Sequence, residues 1–140
     1  NNKRPVPERI AVGLALQDER GILVARRPDE GLFGGLHELP GGFAEPGEPP
    51  AKAMARLAVA RLGIEPGTLR PAGNVRHVLT HMRITLHVYR ATAVAPQAAT
   101  GFYTNLAWVD PCAPAGIGMS TLARKSLAVL LQPDPQVPLL

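Results

Sequence analysis

GFAEPGEPPAKAMARLAVARLGI, residues 42–64, joins a glycine-rich turn to a run of strong helix formers. Pro49 and Pro50 suit a first helical turn, where a missing N–H costs nothing, and Gly63 suits the stop. Within that helix Leu57, Ala60 and Arg61 stand at i, i+3 and i+4 and are expected to share one face. Carboxylates at those positions would gather oxygen ligands for a hard cation such as Mg2+ beside a diphosphate. Leucine and alanine supply no ligand and arginine repels a cation, so no metal is expected here. Glu45 and Glu48, left in the loop, are too few for a tight site. Arg56 is expected to tie the helix to that loop through Glu48 or Glu45. Taken without its neighbours, the segment also fits any proline-started amphipathic helix after a glycine-rich turn.

The chain has 140 residues, room for one domain that buries about 68–70% of its unfolded surface. Apolar residues make up 46% and aromatics 4%, which predicts a core of small side chains rather than disorder. A formal charge of +4 and a pI near 9.8 permit contact with phosphates without establishing it. One cysteine, Cys112, excludes an internal disulfide framework and a cysteine-rich zinc or iron–sulfur site in this chain. A reducing compartment fits. No apolar run approaches the ~18 residues of a spanning helix, and no signal peptide is visible. The expected location is cytoplasmic and nucleoid-associated, with no membrane partner. The chain opens on Asn1 rather than methionine and is read as a fragment of something longer.

Residues 1–8 are polar and proline-bearing and read as a tether, residues 9–131 as the domain, and residues 132–140, with three prolines, as a disordered tail. Ile10, Val12, Leu14 and Leu16 alternate with other residues, the chain turns at residues 18–21, and residues 22–25 follow as a second strand, a hairpin signal. Residues 26–47 are loop-rich, and residues 66–73 read as a connection. Ile84, Leu86 and Val88 alternate with Arg83, Thr85, His87 and Tyr89 in the cleanest strand pattern of the chain. Residues 91–101 read as a loop and residues 106–109 as a short strand. Residues 120–131 read as a helix capped by Ser120. Strands flanked by one early and one late helix predict an α/β sandwich.

Four segments carry a family resemblance. Gly42, Glu48, Arg56, Gly63 and Ile64 fall on the fixed positions of the Nudix box, G-x5-E-x7-R-E-U-x-E-E-x-G-U. Leu57, Ala60 and Arg61 take the places of its later glutamates, which makes the box degenerate. Residues 26–40, RRPDEGLFGGLHELP, resemble the R-R-P-x-x-G-L-x-G-G-L-W-E-F-P run of MutY-type adenine DNA glycosylases. Residues 77–81, HVLTH, are similar to their H-x-F-S/T-H segment, and residues 118–125, GMSTLARK, to their final helix. Two departures stand out: His37 replaces the tryptophan of the long run, and Leu79 replaces a phenylalanine.

The resemblance implies a Nudix-like α/β/α sandwich with a mixed β-sheet, the C-terminal domain of an enzyme that removes adenine mispaired with 8-oxoguanine. Catalytic residues and an iron–sulfur cluster would belong to an N-terminal glycosylase domain of the parent chain, so this chain would carry no cofactor. Its partners would be that domain and duplex DNA containing 8-oxoguanine opposite adenine. Leu79, Thr80 and His81 would contact the lesion, with Leu79 a candidate wedge between base steps. Arg76 and Arg83 would contact phosphates, with Lys52, Arg56 and Arg61 as further candidates. A guanidinium fixed at Arg61 would stand in for a metal's positive charge, and Arg26 and Arg27 would sit at a strand end facing the partner domain.

8-Oxoguanine carries N7–H, a donor, where guanine has an acceptor. A hydroxyl such as that of Thr80 donates or accepts and discriminates poorly. A backbone carbonyl near Thr80 accepts only, so the loop backbone is expected to discriminate, with a mispairing cost of ~1–3 kcal/mol. Two other readings stand beside this one. One is a catalytic Nudix hydrolase of nucleoside diphosphate derivatives. The other is a Nudix-derived protein-interaction domain, in which Thr80 and His81 simply form a turn before the strand at Ile84.

Overall fold

A computed structural model describes residues 6–99, 101–114 and 116–132. The alternation at Ile10 becomes strand β1 (Glu8–Ala15), which starts one residue before the expected domain boundary. Its side chains serve two cores, with Val12 and Leu14 in one and Ala11 and Ala15 in the other. Strands β2 (Gln17–Asp18) and β3 (Gly21–Arg26) follow. The expected hairpin between residues 10–16 and 22–25 shrinks to the short β2–β3 ladder, Gln17 opposite Ile22 and Asp18 opposite Gly21. β1 is apolar on both faces, and such a strand gains most by lying inside a sheet with both faces covered.

Three short pieces come next: β4 (His37–Glu38), β5 (Gly41–Phe43) and helix α1 (Pro50–Leu57). The expected single helix ending near Gly63 changes character at Ala58. Ala58–Leu62 forms a π-helical continuation, closed by Gly63 in the left-handed conformation at φ 69°. Strand β6 (Arg70–Val78) occupies much of what the sequence reads as a connection, with a register shift between Pro71 and Gly73. β7 (Arg83–Arg90), β8 (Asn105–Val109) and α2 (Thr121–Val129) match their expected positions. Ser120 caps α2 as expected, its Oγ accepting from the Ala123 N–H at 3.1 Å.

The first sheet runs β5-β1-β7-β6. β1 and β7 are parallel and the other pairs antiparallel, so the sheet is mixed. In the second sheet β3 pairs antiparallel with β2, β4 and β8. On one side, α1 and its continuation bury Ala53, Met54, Leu57, Ala58 and Leu62 with Val12, Leu14 and Tyr89. On the other, α2 buries Leu122, Ala123 and Leu127 with Val75, Ile84, Leu86 and Val88. Each buried Leu, Ile or Val contributes ~1.5–3 kcal/mol, so these two layers, not the loops, hold the α/β/α sandwich together. Of the expected tether and tail, residues 1–5 and 133–140 lie outside the described residues. Among the described residues no helix is long and apolar enough to cross a membrane.

Candidate functional site

The candidate site is a cleft with about 580 Å3 of open space between the first sheet and α2. Ile84 and Leu86 of β7, Leu39, and Leu122 of α2 give it apolar walls, and Phe33 adds a ring. Phe33 holds φ at 60°, a conformation that bulky residues avoid, so the surrounding turn fixes that ring at some cost. Arg27, Glu38 and Arg61 supply the polar end.

Glu38 and Arg27 form a half-sheltered pair, each side chain 18% exposed, with Arg27 Nη1 donating to Glu38 Oε2 at 3.3 Å. Arg27, directly after the end of β3 at Arg26, thus turns its side chain into the cleft. Its Nε is buried with no hydrogen-bond partner. Tyr103 Oη lies 3.0 Å from Glu38 Oε2 and accepts from the Gly41 N–H at 2.8 Å. Burial pushes the Glu38 carboxyl above its ordinary range, with Arg27 and Tyr103 pulling it back. Burial, with the Glu38 charge, raises the Tyr103 hydroxyl strongly. On the other side of β4, His37 Nε2 sits 3.2 Å from Asn105 Nδ2, and burial together with the charge of Arg26 lowers its pKa.

The box segment gathers around Arg61. Its Nη1 donates to the Gly41 carbonyl at 2.8 Å, and its guanidinium carbon lies 3.7 Å from the centre of the Phe102 ring. A Cβ at Gly42 would lie 2.7 Å from Arg61 Nη1, and one at Gly41 only 1.9 Å from the Val12 carbonyl oxygen. The adjacent glycines therefore let β5 approach both β1 and the arginine. Glu48 Oε1 accepts from Arg56 Nη2 at 2.8 Å and from the Glu45 N–H at 2.9 Å, while Oε2 accepts from Arg56 Nε at 2.9 Å. The Arg56 fork and the Glu45 N–H hold the Glu48 carboxyl at about 2. This is the expected tie between helix and loop.

Leu57, Ala60 and Arg61 do not present one common face. Leu57 is buried, Ala60 is exposed and Arg61 is half-buried. The i→i+5 turn is wider than an α turn and swings residues three apart away from each other. The metal that a Nudix box implies does not fit these side chains: an apolar residue, a methyl group and a cation stand where ligands are needed, and both Glu48 oxygens are engaged. Among the described residues no three His, Cys, Asp or Glu are grouped to hold a metal ion.

The second group of expected residues sits apart, on the β6–β7 hairpin, and none of it lines the cleft. Thr80 and His81 are exposed at the tip, between Leu79 and Met82, whose N–H and carbonyl are 2.8 Å apart. Arg76 and Arg83 are exposed along the strands. Leu79 is half-buried and packs on the α2-side core. Sequence reasoning missed the Arg27–Glu38–Tyr103 network. A carboxylate flanked by Leu36, Leu39 and Pro40 was its one available signal.

A protein-family profile described as NUDIX domain matches residues 11–129. Over 83 residues the chain is 30% identical to an 8-oxo-dGTP diphosphatase of Proteus vulgaris, a match spanning 59% of this chain and 74% of that protein. The MutT protein of Methanosarcina mazei Go1 is similar in structure, with a TM-score of 0.78 and 23% identity over 90% of this chain and 94% of that one. At that identity the likeness shows the fold alone. The C-terminal domain of mouse MUTYH, solved in complex with human PCNA, gives a TM-score of 0.59 and 25% identity over 89% of this chain and 85% of that one.

Proposed function

The chain belongs to the Nudix domain family, and on that premise we propose that it is a recognition module without hydrolytic chemistry. It reads 8-oxoguanine opposite adenine in duplex DNA as the C-terminal part of an adenine DNA glycosylase. The observation that carries this reading is the state of the box. Arg61, bonded to the Gly41 carbonyl and stacked on Phe102, stands where the family pattern has an acidic residue, and Leu57 and Ala60 replace two more. The 25% identity to the MUTYH C-terminal domain supports the reading, as does the exposure of Thr80 and His81 at a hairpin tip.

The identity to an 8-oxo-dGTP diphosphatase and the open cleft favour a second reading, hydrolysis of a free nucleoside diphosphate derivative. Both readings centre on the same oxidised base and differ in whether it arrives in DNA or as a nucleotide. Incubation with 8-oxo-dGTP, GTP and nucleotide sugars in Mg2+ separates them. No turnover is expected, and turnover lost in Glu48→Gln would establish the hydrolase. In parallel, duplexes with 8-oxoguanine or guanine opposite adenine are compared for binding. Equal affinity for the two would overturn the proposed recognition.

A further inference from the structure

The DNA-reading function leaves the cleft between the first sheet and α2 without a role, since no residue of the hairpin tip lines it. Its open space, about 580 Å3, falls within the ~300–1,000 Å3 of ordinary small-ligand pockets. Its charges do not balance. Among the described residues the charged side chains that line it are Arg27, Arg61 and Glu38, two guanidiniums to one carboxylate. Arg27 donates to Glu38, and Arg61 to the Gly41 carbonyl. Each guanidinium carries five N–H donors, so most of them are unused. Arg27 Nε is buried without an acceptor, an unfavourable state that a ligand oxygen would relieve. Both guanidiniums also lie against Phe102, 5.4 and 3.7 Å from its ring centre, which gathers them at one end of the cleft. The apolar lining includes Phe33, half-buried and held at φ 60°. A glycine would take that φ without strain, and two glycines, Gly34 and Gly35, follow directly. Strained positions of this kind gather at ligand clamps.

We propose that the cleft binds a small aromatic monocarboxylate, its ring against Phe33 and the apolar walls and its carboxylate on Arg27 and Arg61. One negative charge brings the polar end to neutrality. A planar carboxylate matches the guanidinium fork, and an aromatic ring packs on Phe33 in an offset or edge-on arrangement. A nucleoside diphosphate suits the site less. Its charge exceeds what two arginines offset beside Glu38, and Leu57, Ala60 and Arg61 offer no ligand for a metal that would make up the difference. The inference goes beyond the DNA-reading function, and each stands or falls without the other.

The test titrates the full chain, in EDTA, with naphthalene-2-carboxylate by calorimetry, beside its uncharged amide, inorganic phosphate and 8-oxo-dGMP. Saturable binding of the carboxylate at a single site is expected, with the amide weaker by roughly tenfold or more, the effect of losing a charge-assisted contact. Phosphate and 8-oxo-dGMP are expected to bind no better than the amide. Arg27→Gln is expected to weaken the carboxylate roughly tenfold and to leave the amide's affinity nearly unchanged, a split that loss of folded protein cannot produce. Phe33→Gly relieves the strained φ and keeps the fold, and it is expected to weaken carboxylate and amide alike. If the amide binds as tightly as the carboxylate, or if neither binds, the inference is overturned. If 8-oxo-dGMP binds more tightly than the carboxylate, the inference is overturned and the nucleotide-hydrolase reading gains. If the carboxylate binds but Arg27→Gln and Phe33→Gly bind it as wild type does, it sits elsewhere and the inference is again overturned.

Discussion

Arg61 is held by a hydrogen bond from Nη1 to the Gly41 carbonyl and by the face of the Phe102 ring. A charge-assisted hydrogen bond contributes ~1.5–3 kcal/mol and a half-sheltered cation–π contact ~0.5–2 kcal/mol. Arg61→Ala is expected to lower unfolding free energy by ~2 kcal/mol in urea titration. Arg61→Lys is expected to recover less than half, because an ammonium cannot lie flat on a ring while reaching a carbonyl. Arg27 makes a sharper case. Arg27→Met leaves the Glu38 carboxylate in its sheltered place with the Tyr103 hydroxyl as its hydrogen-bond partner and only the more distant charge of Arg61, at a cost of ~3 kcal/mol. Burial already raises this carboxyl, and losing the arginine raises it further above its unfolded value of ~4.3. An acid raised in the folded state costs nothing below its unfolded pKa, progressively more as pH climbs from there to the folded one, and a constant amount above it. The variant's deficit relative to wild type should therefore be large at pH 8 and shrink towards pH 4. A deficit independent of pH would show that Glu38 does not ionise against Arg27. Neither network was legible in the sequence, because Arg61–Phe102 and Glu38–Tyr103 join residues far apart in the chain.

The loop and helix of the box are joined by Glu48 and Arg56, and that tie was legible, since a carboxylate before a helix and an arginine on it fall within reach. Its acid response follows from the depressed Glu48 carboxyl at about 2. A depressed acid contributes stability above its unfolded pKa and loses it as pH falls through the folded one. The stability difference between wild type and Glu48→Gln should therefore close between roughly pH 4.3 and pH 2 in thermal unfolding. The π-helical continuation was not legible: alanines, leucines and arginines favour a helix without choosing between i→i+4 and i→i+5 bonding. Its end was, because Gly63 alone in that stretch accepts a left-handed conformation readily. Gly63→Ala is expected to cost ~1 kcal/mol by urea titration, and an unchanged midpoint would mean that the cap relaxes. β6 escaped notice because Pro71, Gly73 and Asn74 break its alternation. β1 was found as a strand but given the wrong partner, since an apolar run on both faces names no neighbour.

Across the whole molecule, the two helical layers and the mixed sheet are in place while Leu57, Ala60 and Arg61 stand at the later glutamate positions of the box. That separation predicts that the frame accepts glutamates there. In Leu57→Glu, Ala60→Glu, Arg61→Glu, a carboxylate replaces a buried leucine and the Arg61 contacts disappear, so the variant should melt well below wild type in EDTA. Three carboxylates within five residues also repel one another in the absence of a cation, which lowers stability further. Mg2+ reverses both effects by ligation, and a ligand at 100 times its dissociation constant stabilises the folded state by ~2.7 kcal/mol. The expected result is a melting temperature that rises with Mg2+ in the triple variant and stays flat in wild type. The π-helical turn tests the idea further, because it separates position 60 from position 57 around the axis. If all three carboxylates must converge on one ion, binding requires that turn to tighten, and the Mg2+ response should be accompanied by added helical ellipticity. A Mg2+-dependent rise in wild type would mean that Glu48 and Glu45 already hold a cation, and the reading of the box as metal-free would fail.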